Sequence, residues 1–210
     1  MNILLIGPQG SGKGTQARLL CDRFHFSYFE AGAFLRKMAE KNEDLRTYLA
    51  GGNLVPGEEM SSYVTTHLDE NGLYDNILFD GFPRTLEQYK AFKGWMENKK
   101  VSLNLVMLLT VSKAETVRRL SARRQDPVTG KIYNLITDKP PAGVDASALI
   151  QREDDKPEAI EKRLSLYKEQ TEPMIAELSK VTEVIEVSGE RPIDAIFQDL
   201  VRRIEERMSR

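Results

Sequence analysis

The stretch that most constrains this chain is GPQGSGKGT, residues 7–15, set directly behind the apolar run Ile3 to Ile6. Gly7, Gly10, Gly12 and Gly14 let backbone N–H groups close on an anion with no side chain in the way. Lys13 adds a full positive charge, and a helix starting there adds its positive dipole end. The arrangement requires a strand in front and a helix behind. Residues 2–6, bounded by Gly7 and Pro8, read as a buried strand, and residues 13–24 read as a helix through Ala17, Leu19, Leu20 and Phe24. Against the pattern G-x-x-x-x-G-K-[ST], Gly14 takes the hydroxyl position and Thr15 follows one place late. A merely flexible turn is the alternative for these residues.

Two further apolar runs, residues 76–82 (NILFDGF) and 103–111 (LNLVMLLTV), read as buried strands, and residues 184–187 as a weaker fourth. Helical periodicity lies between them, which predicts an α/β chain with a mostly parallel sheet. Ile160, Leu164, Tyr167 and Leu178 mark a long helix that Pro173 is expected to kink. In the last helix Pro192 falls in the first turn, and Ile193, Ile196, Phe197, Leu200, Val201, Ile204 and Met208 form one stripe. Two segments fall outside the sheet. Residues 30–59 read as a small helical insert ending in GGNLVPGEE. Residues 124–155, poor in large apolar side chains and holding Pro140-Pro141, read as a lid or a disordered piece.

At 210 residues, one core carrying inserted lobes is the economical organisation. A formal net charge of −2 argues against a partner bound by phosphate neutralisation along a nucleic acid. Cys21 is the only cysteine, so the chain forms no internal disulfide and no cysteine zinc cluster. No apolar run approaches the roughly 20 residues that span a bilayer. No targeting segment is evident at the start, and a cytoplasmic location without membrane partners is the expectation.

The second landmark is DGFPRT, residues 80–85, with Gln88 following; in isolation it is compatible with an ordinary turn. The third is a set of arginines: Arg36, Arg119, Arg123, Arg124, Arg152 and Arg163. Planar guanidinium groups suit a reaction in which negative charge gathers between two polyanions, though a solvated surface is the bland alternative, above all for Arg124.

The form G-x-x-G-x-G-K-G-T, together with D-G-F-P-R and the arginines, resembles the nucleoside monophosphate kinases, and the adenylate kinase family above all. The resemblance covers nearly the whole chain. It implies a P-loop NTPase fold, a three-layer α/β/α sandwich around a central parallel sheet. The core would comprise residues 1–29, 60–121 and 160–210, with a helical NMP-binding insert at 30–59 and a lid of the long bacterial type at 122–159. The implied reaction is reversible phosphoryl transfer, ATP + AMP = 2 ADP, which serves adenine nucleotide homeostasis, in a monomeric enzyme.

By the same resemblance ATP would be held by Gly10, Ser11, Gly12, Lys13, Gly14 and Thr15, with Arg119 stacking near the base. Arg123, Ile132 and Tyr133 would reach ATP from the lid, and the backbone at Arg191 would contact the base. AMP would meet Ala31, Arg36, Asn53, Leu54, Val55, Gly81, Phe82, Pro83, Arg84, Gln88, Arg152 and Arg163, with Gln88 reading the base. Lys13, Asp80, Arg84, Arg123, Arg152 and Arg163 would serve the chemistry. Mg2+ would arrive with ATP and take no direct protein ligand, Asp80 orienting its waters. Some relatives staple the lid with zinc through four cysteines. Here Asp126 and Thr129 stand at the first two such positions, so no zinc is expected, and a polar tie or a solvated turn takes its place. No general base is needed, because a monophosphate with a second pKa near ~6 is already a nucleophile at neutral pH.

The chain departs from the family at three places. Ala31 replaces a threonine near the acceptor base, Ala33 a common aspartate, and Gly57 another aspartate after Val55-Pro56. Ala31-Gly32 also occurs in UMP/CMP kinases, which leaves a pyrimidine acceptor open. A nucleotide-binding regulator without chemistry is the reading from another class. His25, His67, Trp95 and Cys21 have no constellation around them and read as structural or surface residues.

Overall fold

Ile3 and Leu5 face one side of the first strand while Leu4 and Ile6 face the other, and all four are buried. A strand apolar on both faces needs layers above and below it. The computed structural model, which describes residues 1–209, supplies both. The elements run β1 (Ile3–Ile6), α1 (Lys13–Phe24), β2 (Ser27–Glu30), α2 (Ala31–Ala39), α3 (Glu43–Ala50), α4 (Gly57–Glu70), β3 (Ile77–Asp80), α5 (Leu86–Lys99), β4 (Leu105–Thr110) and α6 (Lys113–Ser121). Then follow β5 (Arg123–Gln125), β6 (Ile132–Asn134), α7 (Pro157–Leu166), α8 (Glu172–Leu178), β7 (Val184–Ser188) and α9 (Ile193–Met208).

Five strands form one all-parallel sheet in the order β2-β3-β1-β4-β7. One core layer joins Leu4, Phe29, Phe79, Phe82 and Phe92 beneath α4 and α5. The other joins Ile3, Leu20, Met107, Leu200 and Ile204 beneath α1 and α9. This is the parallel α/β sheet that the residue pattern predicts and the three-layer α/β/α sandwich that the resemblance implies. No helix among the described residues is long and apolar enough to cross a membrane.

The differences from expectation have local causes. The edge strand β2 has a single buried side chain, Phe29, too few for a pattern. Residues 124–155 are not structureless. They begin within a small antiparallel pair, β5 with β6, and Gln125 bridges back to Ile150. Near Pro173 the helix carries a π-helical turn, Tyr167–Thr171, immediately upstream. Proline lacks an N–H and crowds the carbonyl four residues back, and a widened turn relieves both problems. Pro192 caps α9 from outside instead of sitting in its first turn, and Met208 leaves the stripe for solvent at 62% exposure.

Candidate active site

In the sheet order β1 lies between β3 and β4, so the chain leaves the centre in both directions. At such a switch point the loop after the strand faces an open crevice at the carboxyl edge. Residues 7–12 fill that place. Gly12 caps α1 with φ 96°, a left-handed conformation that side chains resist, and this turns the first N–H groups of α1 toward the crevice. Lys13 Nζ folds back to donate to the carbonyls of Gly7 (2.8 Å) and Pro8 (2.9 Å). Burial brings the Lys13 ammonium down to about 8, against the pull of Asp80, and Arg84, Arg163 and Arg123 push the same way.

Asp80 ends β3 as a buried carboxylate and accepts the Tyr28 hydroxyl at 2.9 Å. Burial holds its pKa above the ordinary aspartate value in spite of Lys13. The next residue, Gly81, has φ 78°, and a Cβ there would stand 2.6 Å from Arg84 Nη2. Only glycine allows that turn with a guanidinium lying against it. Arg84 Nε donates to the Gly81 carbonyl at 2.7 Å. Its backbone is held as well. Thr85 caps α5, and Gln88, three residues on, reaches back with Oε1 to the Arg84 N–H at 2.7 Å, close to a capping box. From the π-helical turn Thr171 Oγ1 donates to the Arg84 carbonyl at 2.8 Å.

The remaining arginines are anchored by partners. Arg123 forks onto Asp155 through Nε (2.7 Å) and Nη2 (2.5 Å), and Asp155 has no exposed surface. Arg163 Nη1 meets the Asp154 carboxylate at 2.9 Å and its carbonyl at 2.9 Å. Arg152 Nε donates to Gln125 Oε1 at 2.8 Å. Burial brings Arg152 and Arg163 down to about 10, and neighbouring guanidinium groups act in the same direction. Cations gathered so closely favour any anion that can join them.

Two cavities meet over this cluster. The first, of about 500 Å³, is lined by Gly10, Ser11, Gly12, Lys13, Gly14 and Thr15, then by Arg119, Arg123, Ile132, Tyr133 and Arg191. Arg119 is held there by Glu115 at 2.6 Å, and that carboxylate, bonded to Arg118 and Arg119, titrates at about 2. The second cavity, of about 850 Å³, is lined by Ala31, Arg36, Asn53, Leu54, Val55, Gly81, Arg84, Gln88, Arg152 and Arg163. Arg36, Arg84, Arg152 and Arg163 border both.

Two residues expected at the acceptor line neither of these cavities. Phe82 is fully buried in the core, its ring edge-on to Phe92 with centroids 5.1 Å apart, and Pro83 borders a separate void of about 20 Å³. The backbone of DGFPR must turn there, and an aromatic side chain is most stable in the apolar layer. Asp126 accepts the N–H groups of Val128 (2.8 Å) and Thr129 (3.1 Å), so its polar tie closes within one exposed turn.

Tyr28, Glu30, Asp154, Asp155 and Thr171 escaped the sequence reading. Asp154 and Asp155 sit in a run of acids that passes for a solvated face; Asp154 pairs with Arg163, and Asp155 with Arg123, 32 residues away. The signal was the R-E-D-D string itself, in which a forked acid can serve an arginine as well as the arginine serves a phosphate.

A phosphate loop at the switch point, with a second cavity opening across a shared arginine cluster, defines a P-loop phosphotransferase built for two phosphorylated ligands. The family model described as adenylate kinase matches residues 5–183. An adenylate kinase of Kosmotoga olearia is 34% identical over 98% of this chain and 99% of its own length. One of Petrotoga mobilis is 35% identical over 95% of each chain. One of Thermococcus onnurineus is 35% identical over 94% of this chain and 91% of its own. The chain belongs to the adenylate kinase family, and so to the nucleoside monophosphate kinases.

Proposed function

We propose that ATP occupies the first cavity and AMP the second, phosphates meeting over the arginines, for the reversible reaction ATP + AMP = 2 ADP. The observation that carries this is the pair of cavities bordered in common by Arg36, Arg84, Arg152 and Arg163. Lys13 would turn from the Gly7 and Pro8 carbonyls to the ATP phosphates. Arg36 and Arg84 would grip the AMP phosphate, Gln88 would face its base, and Arg123, Arg152 and Arg163 would neutralise the group in transit. Positioning and preorganised charge are most of what phosphoryl transfer requires. Mg2+ enters as part of the ATP substrate. Asp80 would orient its waters, since its carboxylate faces the loop closely enough that a Cβ at Gly14 would stand 3.7 Å from Asp80 Oδ2.

In this reading residues 30–59 and 122–159 are lobes that shut over a core of residues 1–29, 60–121 and 160–210. Closure excludes the water that would otherwise take the phosphoryl group. A monomer working in the cytoplasm fits the same reading. A regulator without chemistry has little to recommend it, since Lys13, Asp80 and the arginine cluster are all in place. Adenine is the acceptor base carried by the family, and Ala31 alone gives a pyrimidine acceptor too little support.

Steady-state rates with AMP, CMP and UMP, at fixed ATP and magnesium, test the assignment. AMP is expected to dominate, and rates that favour CMP or UMP would refute it. Arg84→Ala is expected to raise KM for AMP about ten- to a hundredfold, the loss of a charged hydrogen-bond donor, while KM for ATP stays within about twofold.

A further inference from the structure

Glu30 is the one acidic residue among the described residues that lines both cavities. It closes β2 in register with Asp80 of β3, so the parallel pairing carries it to the carboxyl edge of the sheet. Its Oε1 accepts Arg36 Nη2 at 3.0 Å. Its Oε2 lies 3.4 Å from the Tyr28 hydroxyl, whose single hydrogen is better spent on Asp80 at 2.9 Å. Arg36 is thus its principal partner. The Arg36 guanidinium folds back over the first turn of α2, where a Cβ on Gly32 would stand 2.9 Å from Nη1. Both side chains keep partial exposure, 25% for Glu30 and 36% for Arg36, and an ion pair so placed exchanges readily.

We propose that Glu30 is a resident stand-in for the acceptor's phosphate. It holds Arg36 at the seam until a monophosphate arrives, then yields it. The inference rests on the assignment of the second cavity to AMP. A phosphate dianion carries more charge and more acceptor oxygens than a carboxylate, so it wins Arg36. The displaced carboxylate then faces the bound phosphate as a like charge. Both effects have one sign: Glu30 weakens acceptor binding and hastens its release, and it acts less on the donor side, because its ion-pair partner Arg36 is assigned to the acceptor. Glu30 is therefore a positioning residue that tempers acceptor affinity through Arg36.

The test is calorimetric titration of the full chain with AMP alone, joined to steady-state KM values for AMP and ATP. Glu30→Gln, neutral and equal in size, is expected to tighten AMP about two- to fivefold, the worth of a partly exposed ion pair, with KM for ATP moving by less than that. Glu30→Ser is expected to move AMP the same way, which guards against a single poorly folded variant. AMP binding that weakens or stays constant in both variants, or AMP and ATP shifting together, overturns the proposal. Arg36→Ala separates the two levels. If it weakens AMP selectively while Glu30→Gln has no effect, the cavity assignment survives and the stand-in fails. If Arg36→Ala leaves AMP binding intact, the assignment itself fails.

Discussion

Burial and the neighbouring arginines bring the Lys13 ammonium down to a pKa of about 8. Phosphate anions favour the charged form and must raise that value on binding. ATP binding at pH 8 is therefore expected to take up about half a proton at this residue. Affinity should fall as pH rises through 8, because the empty protein then has to be protonated before it can pair. Calorimetry in two buffers of different ionisation enthalpy measures the uptake. In Lys13→Arg the residue-specific uptake should vanish, since a guanidinium stays charged throughout. Lys13, Asp80 and Arg84 were readable because their neighbours in sequence are also their neighbours in space. Asp155 was not, because Arg123, 32 residues away, is brought to it only by folding, and Glu30 and Asp154 were not, because an acid a few residues from Arg36 or Arg163 carries no motif of its own.

At the scale of elements, α4 starts at Gly57 and Pro56 gives its N-terminus no side-chain cap. The aspartate common there in the family is replaced, and the Glu87 side chain from the first turn of α5 occupies its space. A Cβ on Gly57 would stand 2.1 Å from Glu87 Oε2 and 2.6 Å from its Cγ. Any side chain at Gly57 must displace Glu87, and an aspartate there would add a further carboxylate beside Glu87 and the Glu58 and Glu59 already in the first turn of α4. Gly57→Asp is therefore expected to destabilise the fold by about 1 kcal/mol, and adding Glu87→Ser should recover most of it. Chemical denaturation of the two variants measures both changes; an equal loss in single and double variants would refute the exchange. The strands β1, β3 and β4 could be read from sequence because burial on both faces leaves unbroken apolar runs. Edge strand β2 and the three-residue strands β5 and β6 could not, since they are too short for a side-chain pattern and are held by backbone pairing with their neighbours.

Over the whole molecule burial is uneven. Between residues 123 and 156 only Tyr133 and Asp155 are buried, whereas every residue of β1 and β3 is. Regions with few buried contacts open at low free-energy cost. Backbone amides of residues 126–150 should exchange with solvent far faster than those of the central sheet. A bisubstrate analogue joining adenosine groups through a phosphate chain should slow them, as the closing lobe gains the contacts it lacks. Exchange that the analogue leaves unchanged would argue against closure.

The same segment is gathered at its base. Arg123 is forked onto Asp155, and Gln125 and Ile150 exchange N–H···O bonds of 2.8 and 2.9 Å. The peptide between these points is a ring whose stem is fastened before its tip begins. Doubling the size of such a ring adds only about 0.6 kcal/mol of closure entropy. Residues near 126–150 are thus free to lengthen, shorten or take on a metal staple over evolutionary time, while the geometry at the phosphates stays as it is.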